Sequence, residues 1–472
     1  MLRKITALWI ALMLLVSMNL AFAGAAYEKE DDELQSGDFF YIVERDGTVT
    51  ITGHTSVNKK RQAGGYFAHL PGGQEEVVIP AEIDGRPVTT IGQSAFAYCY
   101  KMKSVVLPEG LVDIGPGAFW RCGLESVRLP STILYIEENA FSMCQQMKEV
   151  VFTGESDVAI AGGAFREAGI TRFSVPDNSS NLAEFQGVLF DKNEKILLAY
   201  PIANEETSYN IPTGIRSIGA YAFYGSALDH LTFPDTLHGI ESYAFSNCEQ
   251  LQEALLPDSL DTIGDYAFNN CTGLRYLRLG SGLNEIGDSA FSYCSSLQSI
   301  YLPADLRSIG SGAFAGCTSL LAFQVSLDSP FFYDSDNVLF AYDRLIAWPA
   351  GMQQENYTIP ANVKVIEEYA FSGARIRHLM IPGSVESVRA FAISDMPELE
   401  ELILCEGIRS LTCITGNPKL IEVTLPRSVA EMPDSAPADE WPPVVRVYAG
   451  SFAEEYCLGE EIPVQYVNGK GT

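Results

Sequence analysis

The sequence has little positive charge. It contains 31 Lys and Arg against 60 Asp and Glu, which gives a formal net charge of −29 at pH 7. Proteins that bind nucleic acid present a basic stripe to the phosphates, and this chain has none. The same deficit argues against peripheral binding to anionic lipid. The excess of acidic residues either keeps an exported protein soluble or, as an alternative, suits a partner with a basic surface.

Residue patterns that carry chemistry are also scarce. The five histidines are scattered, and none has metal-ligand spacing with a cysteine or another histidine. No phosphate-binding loop and no G-x-S-x-G turn is present. Acidic clusters at 191–194 and 334–337 do not follow calcium-loop spacing and are interpreted as turns. We therefore expect a protein that is not an enzyme, with no catalytic residues, no metal and no cofactor.

Long apolar runs are missing except at the N-terminus. Arg3 and Lys4 precede the apolar stretch 5–16, and Ala21-Phe22-Ala23 has the form of a cleavage site. This pattern predicts a signal peptide over 1–23, with cleavage after Ala23. The mature chain is then expected to be secreted, without a membrane span, and surface association stays open. Residues 24–36 are acidic and are interpreted as a linker.

One motif is abundant: an aliphatic residue, three variable residues and then Ala-Phe. Most steps between copies are 22 to 24 residues, and two steps of 58 and 57 residues equal one repeat plus an insertion of about 35. A fixed period in this range predicts a solenoid, in which each unit buries its apolar face against its neighbours. The ten copies end at Phe96, Phe119, Phe141, Phe165, Phe223, Phe245, Phe268, Phe291, Phe314 and Phe371.

Each repeat begins with a short segment that alternates apolar and polar residues. In one unit, Val127 and Leu129 are predicted to point inward, and Ser126 and Arg128 outward. Pro130 lacks an N–H donor and ends the strand. The aliphatic residue and the phenylalanine then fill the interior from the far side. One strand per repeat, all in the same direction, predicts a continuous parallel sheet on one face.

Most of the ten cysteines follow the same register. In the three remaining full repeats, their position is taken by Ala168, Ser226 and Ala374. A position filled by Cys, Ala or Ser requires a small buried side chain, so we predict reduced, packed thiols in preference to disulfides. Cys405, Cys413 and Cys457 lie outside the register, and the sequence does not determine their redox state. The seven register cysteines are Cys99, Cys122, Cys144, Cys248, Cys271, Cys294 and Cys317.

The pattern L-x-x-[IV]-x-[LFI]-P, followed by I-[GE]-x-x-A-F-x-x-C, closely resembles the BspA-type leucine-rich repeats of secreted and surface proteins. The resemblance covers roughly residues 76–446, with a weaker eleventh copy around 388–399 and a twelfth around 411–425 that lacks Ala-Phe. It implies a leucine-rich-repeat solenoid over 76–445, of about 12 to 15 turns, whose sheet lines a concave face. It also implies adhesion to host or microbial surface proteins.

Insertions and caps complete the expected domain organisation. The insertions near 176–210 and 326–358 each have the form of a β-hairpin followed by a strand that rejoins the array. Residues 37–75 form an N-terminal β cap, with a hairpin around Asp46-Gly47. Residues 446–472 form a C-terminal cap with a short helix that starts at a capping box, Ser451 to Glu454.

At the outward positions of neighbouring strands, two tyrosines and an arginine are predicted to lie close together in the middle of the array. Tyr and Arg are enriched at interface hot spots, and the group stands out in an otherwise acidic protein. The alternative is ordinary exposed residues that favour strands. The candidate binding residues are Leu255, Tyr276, Arg278, Tyr301 and Gln324.

These observations favour a secreted, non-enzymatic recognition or adhesion protein that binds other proteins through the concave face of its solenoid. The sequence leaves two alternatives open, a self-associating structural component of a cell surface and a glycan-binding module. It does not identify the partner or the oligomeric state.

Overall fold

A computed structural model describes residues 33–55, 74–412, 414, 416–433 and 441–467. The predicted signal peptide, most of the predicted linker and Cys413 lie outside these residues. The chain divides into two compact units, unit 1 up to Gly187 and unit 2 from Val188 onward. This division falls inside the first predicted insertion, and the sequence did not predict it.

Unit 1 consists of short strands. They are β1 (Leu34–Ser36), β2 (Phe39–Val43), β3 (Val49–His54), β4 (Glu76–Val78), β5 (Glu82–Ile83), β6 (Arg86–Ile91), β7 (Ser104–Val106), β8 (Asp113–Ile114), β9 (Ser126–Leu129), β10 (Tyr135–Ile136), β11 (Glu149–Phe152), β12 (Ala159–Ile160), β13 (Arg172–Ser174) and β14 (Leu182–Phe185).

Unit 2 repeats this pattern and ends with one helix. Its elements are β15 (Val188–Asp191), β16 (Ile196–Ala199), β17 (Ser208–Asn210), β18 (Ser217–Ile218), β19 (His230–Thr232), β20 (Gly239–Ile240), β21 (Glu253–Leu255), β22 (Thr262–Ile263), β23 (Tyr276–Arg278), β24 (Glu285–Ile286), β25 (Ser299–Leu302), β26 (Ser308–Ile309), β27 (Ala322–Val325), β28 (Tyr333–Ser335), β29 (Val338–Ala341), β30 (Arg344–Ala347), β31 (Gln353–Thr358), β32 (Val365–Ile366), β33 (Arg375–Ile381), β34 (Ser387–Val388), β35 (Glu401–Leu404), β36 (Ser410–Leu411), β37 (Glu422–Thr424), β38 (Val444–Val447), α1 (Phe452–Gly459) and β39 (Val464–Tyr466).

Each regular repeat contributes two strands on opposite faces of the solenoid. The first, of three or four residues, belongs to what we call the strand face, and the second, of two residues, to the turn face. Both sets pair in parallel, as when Val150 of β11 pairs with Val127 of β9 and with Phe173 of β13. The predicted parallel β-solenoid is therefore confirmed.

The strand face is less continuous than predicted. In unit 2 the turn-face ladder runs without a break from β16 through β18, β20, β22 and β24 to β26. Over the same repeats the strand face is divided into the pairs β17–β19, β21–β23 and β25–β27. The turns already join each repeat to the next through their own hydrogen bonds, so the array does not depend on an unbroken strand ladder.

The repeat phenylalanines fill the interior, as predicted, and within each unit their rings stack on one another in a column, which the sequence did not predict. In unit 2 the rings of Phe245 and Phe268 stack with centroids 4.9 Å apart, and those of Phe268 and Phe291 are 5.3 Å apart. All ten repeat phenylalanines are buried. The backbone continues the column, because the N–H of Phe268 donates to the carbonyl of Ala290 in the next turn at 2.7 Å. Ala-Phe is therefore both the core and the hydrogen-bonding edge of each turn.

The register cysteines have a role beyond filling space. Cys271 Sγ donates to the carbonyl oxygen of Phe245, in the preceding turn, at 3.1 Å. The same bond recurs in six of the seven copies, for example from Cys122 to Phe96 at 2.9 Å. Those six thiols are free and buried, and Cys99 is free and half-buried. Burial raises the pKa of Cys271 well above its usual range, which keeps the thiol a donor.

The insertions contain repeat copies that the Ala-Phe motif did not detect. Tyr200 stacks on Phe223, with centroids 5.0 Å apart, and its N–H donates to Ala222 at 2.8 Å. Trp348 similarly donates to Ala370 at 2.7 Å. Ala-Tyr and Ala-Trp thus replace Ala-Phe in two elongated repeats. The predicted hairpins are present as β15–β16 and β29–β30, and β28 adds a third antiparallel strand to the second.

Both ends of the described chain have additional elements. The predicted hairpin around Asp46-Gly47 is formed by β2 and β3, and β1, which lies in the predicted linker, pairs with β2. The predicted short helix is α1, where Ser451 Oγ accepts from the N–H of Glu454 at 3.2 Å. Strand β38 spans the predicted boundary at 445 and pairs with β37. Within the described residues, no helix is both long and apolar enough to cross a membrane.

Candidate binding surface on the strand face of unit 2

The predicted cluster lies on four neighbouring strands of the strand face, β21, β23, β25 and β27. Its apolar members are strongly exposed: Tyr276 by 67%, Tyr301 by 52% and Leu255 by 51%. Arg278 and Gln324 are also exposed. The inward residues of the same strands hold the outward side chains in place, since Ala254 and Ile300 are buried. The alternation predicted from the sequence therefore holds at all five positions.

Strand register brings these side chains together in pairs. Leu255 of β21 pairs with Arg278 of β23, and Tyr301 of β25 pairs with Gln324 of β27. Side chains directly opposite each other on adjacent strands are within contact range of a single ligand group. Tyr276 pairs with Glu253 in the same ladder, so one carboxylate borders the cluster.

The cluster spans one of the breaks in the strand-face ladder. No backbone hydrogen bond joins β23 to β25 among the described residues. In the preceding pair, by contrast, the N–H of Tyr276 donates to Gln252 at 3.3 Å and that of Leu256 to Arg278 at 3.0 Å. Tyr276 and Tyr301 therefore lie on the two sides of a strand junction that lacks the usual main-chain bonds.

Arg278 contacts the main chain of the neighbouring strand segment and not a carboxylate. Its Nη2 donates to the carbonyl oxygen of Leu256 at 3.1 Å, and it makes no ion pair with a carboxylate in the described part of the chain. Arg278 contributes only a minor part of the lowered pKa of Asp258, whose main cause is the hydrogen bond from the Ser281 N–H. Most donors of the guanidinium group are thus left for solvent or a ligand.

Two outward arginines of the later strands, Arg377 and Arg446, are paired with carboxylates across strands. Arg377 Nη2 lies 2.8 Å from a carboxylate oxygen of Glu400, and Arg446 Nε lies 2.5 Å from one of Glu422. The hydrogen bond from Arg377 is the main reason that the pKa of Glu400 is lowered. Each ion pair joins neighbouring repeats, so the charges of these arginines are balanced by carboxylates of the same chain.

Two outward histidines are less isolated than the sequence suggested. His230 Nδ1 lies 2.7 Å from Asp229 Oδ1, and His378 Nδ1 lies 3.0 Å from Glu401 Oε2. The hydrogen bond with Asp229 raises the pKa of His230. Sequence reasoning missed both contacts, although Asp229 is adjacent in the chain and Glu401 is one repeat further on. The described residues contain no group of three or more side chains that could hold a metal ion.

The repeat structure identifies the family. A model of the BspA type leucine rich repeat region matches six copies in this chain, over residues 74–196, 203–324 and 350–439. The chain belongs to this family. No curated protein matches the chain.

Several solved structures are similar to this BspA-type chain. A leucine rich cell surface protein from Faecalibacterium prausnitzii has 21% identity and a TM-score of 0.48, with 94% of this chain and 96% of that chain covered. A leucine-rich repeat protein from Bacteroides ovatus has 18% identity and a TM-score of 0.40, with 92% and 100% covered. The pneumococcal vaccine antigen PcpA has 16% identity and a TM-score of 0.39, with 94% and 100% covered.

Proposed function

We propose that this protein is a secreted, non-enzymatic recognition protein that binds a protein partner through the middle of the strand face of unit 2. The observation that carries the proposal is the exposure of Tyr276 and Tyr301 beside an arginine, Arg278, that makes no ion pair in the described chain. Exposed tyrosines supply a large contact area at low entropic cost, and arginine supplies directional donors.

The fold supports binding over catalysis. Leucine-rich repeats are typically scaffolds that present an extended surface of variable side chains. The residues that vary most between repeats lie at the outward strand positions, and the recurring Ala-Phe pairs are buried. Arg278 and the two tyrosines are therefore free to suit a ligand at little cost to the core. They are our proposed contact residues, together with Leu255 and Gln324.

Export is part of the same proposal. The basic, apolar and A-x-A segments of residues 1–23 support cleavage after Ala23. One similar solved structure is that of a cell surface protein, which agrees with a function outside the cell. Attachment of this chain to a surface would bring its strand face to proteins of neighbouring cells, either microbial or host.

Capture experiments test the proposal. The mature chain and its Y276A/R278A/Y301A variant are used as baits with surface-protein extracts of candidate neighbouring cells, followed by cross-linking and mass spectrometry. We expect a protein that the native chain captures and the variant does not. Equal capture by the two baits would reject the strand-face site.

Two further measurements distinguish the alternative functions. Size-exclusion chromatography over a range of concentrations detects a self-associating component, because its apparent mass would rise with concentration. A glycan array detects a glycan-binding module, for which the exposed tyrosines would be the stacking surface. Saturable glycan binding that Y276A and Y301A abolish, without any protein captured, would replace the proposed function.

A further inference from the structure

A second candidate site lies on the turn face of unit 2, where the second insertion interrupts the regular turns. A partly open cavity of about 220 Å³ is bordered by the turn at 307–315, the β29–β30 hairpin and the turn at 367–372. Since a water molecule occupies about 30 Å³ of liquid, this volume suits a small organic molecule. None of the five strand-face residues lines the cavity.

The main chain around the cavity departs from the regular pattern of turn-to-turn bonds. In the preceding turn, the N–H groups of Ser289, Phe291 and Tyr293 donate to carbonyls of the next turn at 2.9, 2.8 and 2.7 Å. Gly312, Phe314 and Gly316 occupy the corresponding positions one repeat later. Only Gly316 has a partner among the described residues, the carbonyl of Ser372 at 3.4 Å.

The insertion explains the two missing bonds. The next aromatic residue that occupies the turn position of the repeat phenylalanine is Trp348, whose N–H donates to the carbonyl of Ala370. The 370–372 segment thus accepts one bond from Trp348 and one from Gly316, and the N–H groups of Gly312 and Phe314 are left without an acceptor in the described chain. Both residues line the cavity. Main-chain donors without a protein partner are strong sites for an acceptor from solvent or ligand.

The charged side chains of the lining restrict what could accept from these donors. Arg344 is paired with Glu367, which also lies 3.3 Å from Arg389 Nη1. Arg307 is exposed and makes no ion pair within the described residues. Glu368 adds a negative charge to the lining. The carboxylates of Glu367 and Glu368 would repel a dianion such as phosphate. A single negative charge can instead be matched by the guanidinium group of Arg307.

Apolar groups form the rest of the wall. Phe332 is buried, and Phe331 and Ile346 are half-buried around the cavity. Pockets that bind small molecules typically combine such walls with a few polar groups that orient the ligand. Here the main-chain N–H groups of Gly312 and Phe314 are donors without a protein partner in the described chain, and the walls favour a ligand with an apolar body.

We propose that this cavity binds a small monocarboxylic acid with an apolar body. Its carboxylate accepts from the N–H groups of Gly312 and Phe314 and is matched in charge by Arg307, while its apolar part packs against Phe331, Phe332 and Ile346. The site is separate from the protein-binding surface proposed above and does not depend on it.

The test uses the mature chain with benzoate and butyrate as probes. Inorganic phosphate and the neutral N-acetyl-phenylalanine amide serve as comparison ligands. Affinities are measured by saturation-transfer NMR and calorimetry for the native chain, for Arg307→Gln and for Arg216→Gln. Arg216 is a matched control because it occupies the same repeat position four turns earlier, next to Ser217 as Arg307 is next to Ser308, and it does not line the cavity.

We expect saturable binding of benzoate, weakened about tenfold by Arg307→Gln, as for loss of a charge-assisted contact, and unchanged by Arg216→Gln. Ala315→Leu, which adds volume at the cavity wall, should abolish binding while circular dichroism confirms the fold. Absence of saturable binding by both carboxylates would overturn the proposal. So would equal weakening by the two arginine variants, or binding of the neutral amide as tight as that of benzoate, which would instead indicate a peptide site.

Discussion

In unit 2, strands β21 to β27 and strands β33 to β38 are built from the same repeat but present different surfaces. Tyr276 and Tyr301 on the earlier strands are exposed by 67% and 52%. At the same repeat positions the later strands carry His378 and Ile403, and Ile403 is exposed by 38%. Arg278 makes no ion pair in the described chain, whereas Arg377 contacts both Glu355 and Glu400.

The backbones differ in the same way. Strands β31, β33, β35, β37, β38 and β39 form one six-stranded ladder, while β21–β23 and β25–β27 are separate pairs. Where the ladder is continuous, the outward charges also join one repeat to the next. Where it is broken, the outward side chains have few partners within the protein. The same repeat can therefore either join its outward side chains to the next repeat or leave them exposed, depending on the residues at its outward positions.

The largest expected effect is on stability and should be the same in both regions. Phe268 and Phe371 are fully buried, and each lies below one of the two surfaces. Replacement of either by Ala removes a packed ring and should lower the free energy of unfolding by about 3–5 kcal/mol. Denaturant titration of the two variants measures this. Tyr276→Ala, as an exposed control, should change it by no more than about 0.5 kcal/mol.

A clear difference in unfolding free energy between the two phenylalanine variants would show that the two regions differ in their cores. If Phe268→Ala cost much less than Phe371→Ala, the middle region would have a weaker core as well as a different surface. The broken ladder would then be the result of poor packing.

A smaller effect is expected in amide exchange. Leu277 and Tyr301 lie on the two strands of the broken junction, and Leu379 and Ile403 occupy the same positions in the continuous ladder. The amides of Leu277 and Tyr301 should exchange with deuterium about tenfold faster or more, because no backbone bond joins their strands. Hydrogen exchange measured residue by residue by NMR gives the ratio. Similar rates at the two junctions would show that β23 and β25 pair in solution.

The smallest effect concerns the paired charges of the later strands. The hydrogen bond from Arg377 lowers the pKa of Glu400, so this carboxylate stabilises the fold above its unfolded-state pKa. That contribution is lost as the pH falls through the lowered folded-state pKa. Arg377→Met should raise the pKa of Glu400 in an NMR titration, and Arg278→Met should leave it unchanged. An unshifted Glu400 in Arg377→Met would show that this ion pair is absent in solution.

Much of the scaffold was predictable because the repeat is local. Buried Phe245 and Phe268, the outward Tyr276 and the hairpin at Gly47 all follow from residue spacing and turn chemistry. Tyr200 and Trp348 were missed because the motif was defined by phenylalanine, although the buried position accepts any aromatic ring. A search for Ala followed by any aromatic residue includes both, together with pairs outside the register such as Ala341-Tyr342.

The candidate surface was only partly predictable for a different reason. Spacing places Leu255, Tyr276 and Tyr301 outside, but it does not determine which strands hydrogen-bond to each other or which carboxylate meets a given arginine. The break between β23 and β25, and the contact of Arg278 with the Leu256 carbonyl, depend on three-dimensional packing between repeats. The cavity beside Gly312 has the same origin, since it forms where distant parts of the chain replace a regular neighbour.

The most direct test of the account is a comparison of two matched triple variants against a captured protein partner. Y276A/R278A/Y301A changes two outward residues of β23 and one of β25. H378A/M380A/I403A changes the same positions of β33 and β35. Calorimetry should show the first variant weakening the affinity about thirtyfold or more, corresponding to about 2 kcal/mol, and the second leaving it unchanged. Equal affinities for the two variants, or the greater loss in the second, would contradict the assignment of binding to the middle strands.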